Sequence, residues 1–207
     1  MTTINKSYNN VKIFSYMIIF TIICYMIYLL YSKSINNDMI YVKSNIDNKY
    51  YLVRKCKDQQ QAANMLSKLK QNTLILSENL YKNRDKYPDY KQYIDRLYEK
   101  APDIIFIESN TDSEYTSYSV NKGEQIVFCI RTKQTGNDIH DLNLIMYVVL
   151  HELSHVACPI YDNHGPLFKK IFSFLCYVGI ELNLYQKIDF KEQPVNYCGL
   201  MITESII

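Results

Sequence analysis

DLNLIMYVVLHELSH, residues 141–155, decides how this chain is read. Nine residues without proline or glycine follow Asp141 before the segment closes on His-Glu-Leu-Ser-His, so its length and composition predict a helix. Asp138 or Asp141 can accept hydrogen bonds from the first free backbone amides of that helix. Leu142, Ile145, Val148 and Val149 are spaced to face a core. His151 and His155 stand four residues apart, which places both imidazoles on one face, a single turn from each other. Two such rings can reach one metal ion. Glu152, beside the first of them, can approach a water on that metal without binding the metal itself. HExxH on a helix is the zinc-peptidase arrangement. With only four histidines in 207 residues, finding two at this spacing around a glutamate points to a site rather than to scattered core or surface histidines.

A catalytic zinc takes three protein ligands and keeps one position open. The third must come from downstream, and His164 suits it by ligand type and spacing. The intervening stretch contains Pro159 and an Asp-Asn pair, which allow the chain to reverse. Glu181, expected on the following helix, and Asp162 are the competing ligands. Tyr161, Tyr177 and Tyr197 are candidates for an oxyanion donor, chosen from a chain with twenty tyrosines.

The formal charge of +2 leaves no electrostatic footprint for nucleic acid, and none is expected as a partner. Residues 13–32, IFSYMIIFTIICYMIYLLYS, carry no charge and match a bilayer core in length at a rise of about 1.5 Å per residue. Lys12 and Lys33 bracket the run. No small-x-small cleavage site follows it, so an uncleaved single-pass anchor is expected rather than a signal peptide. Lysines on both sides leave the orientation open. Of six cysteines, Cys24 lies in the anchor. Cys56, Cys129, Cys158, Cys176 and Cys198 are dispersed and contain no CxxC pair. Reduced thiols and a cytosolic domain are expected from them.

The expected organisation is a tail (1–12), the anchor (13–32), a polar linker (33–47) and one domain (48–207). Within that domain we expect a strand at 49–54, a helix at 58–84 and a second helix from Pro88 to about residue 100. An extended segment at 103–108 is followed by a hairpin, 115–120 and 125–131, around an Asn-Lys-Gly turn. Residues 133–137 form a polar loop. Pro166 opens the next helix, with Phe168, Ile171, Phe172, Leu175 and Val178 inward. The tail is expected to be irregular with a short strand. If residues 126–131 form a sheet edge, an extended peptide can pair with it. The fold class is a small α+β domain behind an N-terminal transmembrane helix.

HELSHVACPIYDNHGPLF resembles the HExxH…HGxxF signature of the WLM and SprT-like minimal zinc metallopeptidases. His164-Gly165-Pro166-Leu167-Phe168 matches the second element residue by residue. The strand EQIVFCIR and the helix before His151 also resemble WLM-like predicted peptidases of large DNA viruses, as does the Tyr197-Cys198-Gly199-Leu200 segment. The likeness spans roughly residues 50–205. It implies a zincin-like fold, His151, His155 and His164 as ligands of one Zn²⁺ per chain, and Glu152 as general base. A viral protein of a host or virion membrane, acting on protein or peptide substrates, is the corresponding expectation. No ubiquitin-like, SUMO-binding or DNA-binding module is recognisable, so cleavage of DNA-crosslinked proteins, an activity of some members, is not expected. The competing reading is a non-catalytic membrane or virion protein with a structural zinc. A zinc hydrolase acting on another bond is a third.

Overall fold

A computed structural model describes residues 2–36, 38–132, 138–159 and 163–207. The chain divides into two compact units, residues 1–39 and 40–207. The first is helix α1 (Thr2–Asn36), whose stretch Ile13–Ser32 is long and apolar enough to cross a membrane. The expected linker is not free of regular structure. Its first residues continue α1, and β1 (Met39–Lys43) lies within it. The alternation Ile40, Val42 suits a strand, and both side chains pack on the core.

The second unit is α+β, as its sequence implied. β1 pairs with β2 (Tyr50–Arg54). α2 (Gln59–Lys82) and α3 (Lys91–Lys100) follow, the latter preceded by a 3-10 turn at Pro88–Tyr90. β3 (Ile105–Glu108), β4 (Ser117–Val120) and β5 (Gln125–Phe128) form a mixed sheet in the order β3-β5-β4. β3 runs parallel to β5 and β4 antiparallel to it. The strand expected as a peptide-binding edge, β5, is therefore central, and β4 is the edge. Ile126, Val127, Phe128, Cys129 and Ile130 are all buried; an unbroken apolar run of this kind marks an internal strand.

α4 (Leu142–Ala157) crosses the core, and its N-terminus is closed by Asp141, whose carboxylate accepts from the amides of Asn143 (2.8 Å) and Leu144 (3.4 Å). Nearly its whole circumference is buried, from Leu144 through Leu150. α5 (Pro166–Glu181) starts at Pro166 and buries Phe168, Ile171, Phe172, Leu175 and Val178, as their spacing predicted. The tail is more ordered than expected: β6 (Val195–Tyr197) and β7 (Leu200–Ile202) make a hairpin. Cys198 and Gly199, at φ +53° and +94°, supply the left-handed pair that a two-residue turn needs.

Two cross-links hold the sheet to its surroundings. Glu108 accepts from Arg131 Nε (2.6 Å) and from the backbone amide of Arg54 (2.8 Å), while Arg131 also pairs with Asp58. All but Asp58 are buried. Cys129 and Cys198 are joined by a disulfide, Cα atoms 6.4 Å apart. This corrects the expectation of reduced thiols for these two. Their partnership is set by the return of the tail 69 residues later, a long-range event that cysteine spacing does not encode. Among the described residues, Cys24, Cys56, Cys158 and Cys176 form no disulfide. The expected loop at 133–137 lies outside the described residues.

Candidate metal centre

The last two turns of α4 and the first residues before α5 bring three imidazoles to one point. His151 Nε2 lies 3.2 Å from His155 Nε2 and 3.3 Å from His164 Nε2, and the remaining edge is 3.1 Å. Three ring nitrogens converging in a near-equilateral triangle cannot satisfy one another by hydrogen bonding, since each neutral ring has one donor and one acceptor nitrogen. A cation at their focus can satisfy all three. Nitrogens bound tetrahedrally at Zn–N distances of 2.0–2.1 Å stand about 3.3 Å apart, so the donor set fits zinc. Among the described residues this is the group of histidine, cysteine and carboxylate side chains close enough to hold an ion.

Of the two competitors for the third position, one is described. Glu181 is the exposed last residue of α5 and is not in the cluster. Asp162 and Tyr161 lie outside the described residues. His140, the fourth histidine, is buried elsewhere, against Tyr197 and 3.6 Å from Cys198 Sγ.

Burial and the mutual charges of the rings hold His151 down to about 3, and burial with the charge of His164 holds His155 to about 4. Both rings therefore stay neutral at physiological pH, which is the ligating form. Phe168 gives the rings their backing. Its centroid lies 4.4 Å from that of His155, 4.9 Å from His164 and 5.0 Å from His151. The phenylalanine four residues after His164 is thus a platform for all three imidazoles, a role its sequence position did not disclose.

Glu152 points into the same region from α4. It is 4% exposed, and burial pushes its carboxyl up to about 7. An open cleft of about 340 Å³ runs over the histidines and Glu152, bordered by Ser117, Ser119 and Lys122. The edge strand β4 thus forms one bank. The turn after it sits directly on α4: a Cβ at Gly123, where φ is +101°, would meet Val156 Cγ2 at 3.0 Å. Lys122 Nζ donates to the Cys158 carbonyl (2.9 Å), fastening the same turn to the end of α4. Of the three tyrosines singled out, Tyr197 borders a second cavity together with His151 and Glu152. Its hydroxyl lies 2.6 Å from Ser117 Oγ. Tyr177 is exposed on α5 and lines a different surface with Lys169 and Lys170, so it is not at the site.

The sequence is 44% identical over 176 residues to "Uncharacterized protein R325" of Acanthamoeba polyphaga mimivirus, covering 85% of this chain and 88% of that one. The chain belongs to the R325 family. A more distant viral relative is "Uncharacterized protein 136R" of Invertebrate iridescent virus 6, 25% identical over 162 residues, 75% of this chain and 85% of its own. No family model matches the sequence. Among solved structures, this R325-family chain aligns with Wss1 from Saccharomyces cerevisiae and with a Wss1 mutant, each at 18% identity. The TM-scores are 0.33 and 0.34, over 49% and 50% of this chain and 84% and 87% of those.

Proposed function

We propose that this protein is a membrane-anchored zinc-dependent peptidase, with His151, His155 and His164 as metal ligands and Glu152 as general base. One observation carries the reading: three Nε2 atoms 3.1–3.3 Å apart beside a buried carboxylate in an open cleft. The HExxH…HGxxF pattern, which resembles that of WLM and SprT-like peptidases, supports the same conclusion. Bound zinc supplies Lewis acidity, which acidifies water to a pKa of about 7 and polarises a carbonyl.

The chain's own groups handle protons and alignment. Glu152 accepts the proton of the attacking water at a carboxylate oxygen and delivers it to the departing amine nitrogen. A base with its pKa near the operating pH does this best, and burial has brought Glu152 there. Tyr197 is the donor we assign to the oxyanion. Burial raises its pKa well above the usual phenol value, so its hydroxyl keeps its proton. The substrate lies extended along β4, whose outer edge pairs with no strand among the described residues. A structural zinc site is closed and four-coordinate; the open cleft and the adjacent base favour catalysis.

Ile13–Ser32 is the proposed single-pass anchor. The Cys129–Cys198 disulfide supports placing the domain on an oxidising side of that membrane, because such bonds persist outside the reducing cytosol.

The test uses the full chain in lipid nanodiscs with one equivalent of zinc and an unstructured protein substrate. Wild type cuts it; Glu152→Gln keeps its zinc and cuts about 10²- to 10⁴-fold more slowly. Full zinc occupancy without cleavage by wild type makes the site structural.

A further inference from the structure

A second cavity, of about 230 Å³, opens off the cleft and shares Ser117, His151 and Glu152 with it. The rest of its lining is mostly apolar, Tyr147 and Val148 of α4, Phe172 of α5, and Leu200 and Ile202 of the C-terminal hairpin, with Thr116 and Tyr197 adding hydroxyls. The aromatic wall is braced, with Tyr147 and Phe172 centroids 5.0 Å apart and Phe172 5.2 Å from His151. Leu200, 55% exposed at the hairpin, stands at this cavity rather than in the core, which gives an otherwise costly exposed leucine a use. Glu152 is the one charged side chain in the lining.

We propose that this cavity is a side-chain subsite that takes a large apolar residue of the substrate, leucine or phenylalanine in kind, next to the scissile bond. The inference rests on the peptidase reading and adds a substrate class to it. A peptide lying over the histidines must send a side chain towards one bank or the other, and the cavity is continuous with the bank formed by His151 and Glu152. An aliphatic or aromatic group there replaces water against Val148, Phe172 and Leu200. An aspartate or glutamate leaves its charge without water or a partner against Val148, Phe172 and Leu200 and is rejected. The hairpin wall is held by the Cys129–Cys198 bond, so the subsite depends on the tail being in place.

The test measures binding, and does not require turnover. Full-length Glu152→Gln in nanodiscs, loaded with zinc, is titrated with blocked hexapeptides Gly-Gly-Gly-Xaa-Gly-Gly in which Xaa is Leu, Phe, Ala or Asp. Leu and Phe bind roughly 10- to 100-fold more tightly than Ala, and Asp binds most weakly. Val148→Phe, which fills the cavity, and Leu200→Asp, at an exposed position that leaves folding intact, each remove the preference without changing zinc content. Equal affinities, no binding of any peptide, or a preference that survives both variants overturns the proposal. Selective binding with no cleavage of the Leu or Phe peptides by wild type overturns the peptidase reading and leaves the apolar subsite standing. Cleavage that ignores Xaa does the reverse.

Discussion

The hydroxyl of Tyr197 sits 2.6 Å from Ser117 Oγ, tying the C-terminal hairpin to the edge strand that borders the cleft. β4, α4 and β6 thus meet at the cavity that Glu152 lines. The contact also presents a protonated phenol at that cavity, which His151 and Glu152 share.

Tyr197→Phe keeps the ring and removes the hydroxyl. Turnover should fall about 10²-fold, the usual cost of one oxyanion donor, with zinc content unchanged. Ser117→Ala removes only the partner and should cost turnover far less. Steady-state kinetics on one peptide compares them; equal activity of Tyr197→Phe and wild type would place the donor elsewhere.

The platform under the imidazoles is testable through the metal. Phe168 is 2% exposed and touches all three rings. Phe168→Ala should cost about 3–5 kcal/mol of stability through the void it leaves and weaken zinc about 10- to 100-fold, as loss of an outer-shell support does. Competition with a chromogenic chelator reads the second effect. His164→Ala should lose its zinc on dialysis altogether, whereas Glu181→Ala should retain it.

Glu152 makes the metal-free protein sensitive to pH. Its carboxyl titrates near 7 in the folded chain, against an ordinary value of 4.5. Between those values the folded state holds a proton that the unfolded chain has released, so stability falls as pH rises through the window. The penalty is absent below the ordinary value and complete above the raised one, where it amounts to about 3 kcal/mol. Glu152→Gln cannot ionise. Stripped of zinc, it should match wild type at acidic pH and exceed it at pH 8. His151 and His155 titrate in both proteins and cancel in the difference. Urea unfolding at the two pH values decides the matter; a pH-independent difference would mean that Glu152 is not held in its buried position.

Breaking the link between Cys129 and Cys198 should lower stability by about 2–4 kcal/mol, since the bond closes a loop of 69 residues. Cys198→Ser and reductant should act equally and not additively in denaturant melts. Because the hairpin carries Tyr197, activity should fall further than global unfolding explains.

Glu108 is the pivot of the buried ion cluster. Glu108→Ala removes the buried carboxylate that Arg131 and the Arg54 amide share, leaving Arg131 to Asp58 at the edge of the core, and should cost about 3–5 kcal/mol, while exposed Asp85→Ala, which loses a surface pair with Lys91, should leave stability nearly unchanged. Thermal unfolding of the two variants checks the contrast.

Local signals carried much of this protein. HExxH spacing, the Asp141 cap, Pro166 and the inward face of α5 are all written within a few residues of where they act, because helix periodicity converts sequence distance directly into direction in space. His164 was accessible for the same reason, being only nine residues beyond His155. The partners that meet across long stretches of chain were decided by tertiary structure alone. Cys129 with Cys198, Tyr197 with Ser117, Glu108 with Arg54 and Arg131, and the central place of β5 follow from how strands stack and where the tail returns. Nothing in residue type or spacing specifies those pairings, since loop closure over many residues is selected by burial of the whole core rather than by any local preference.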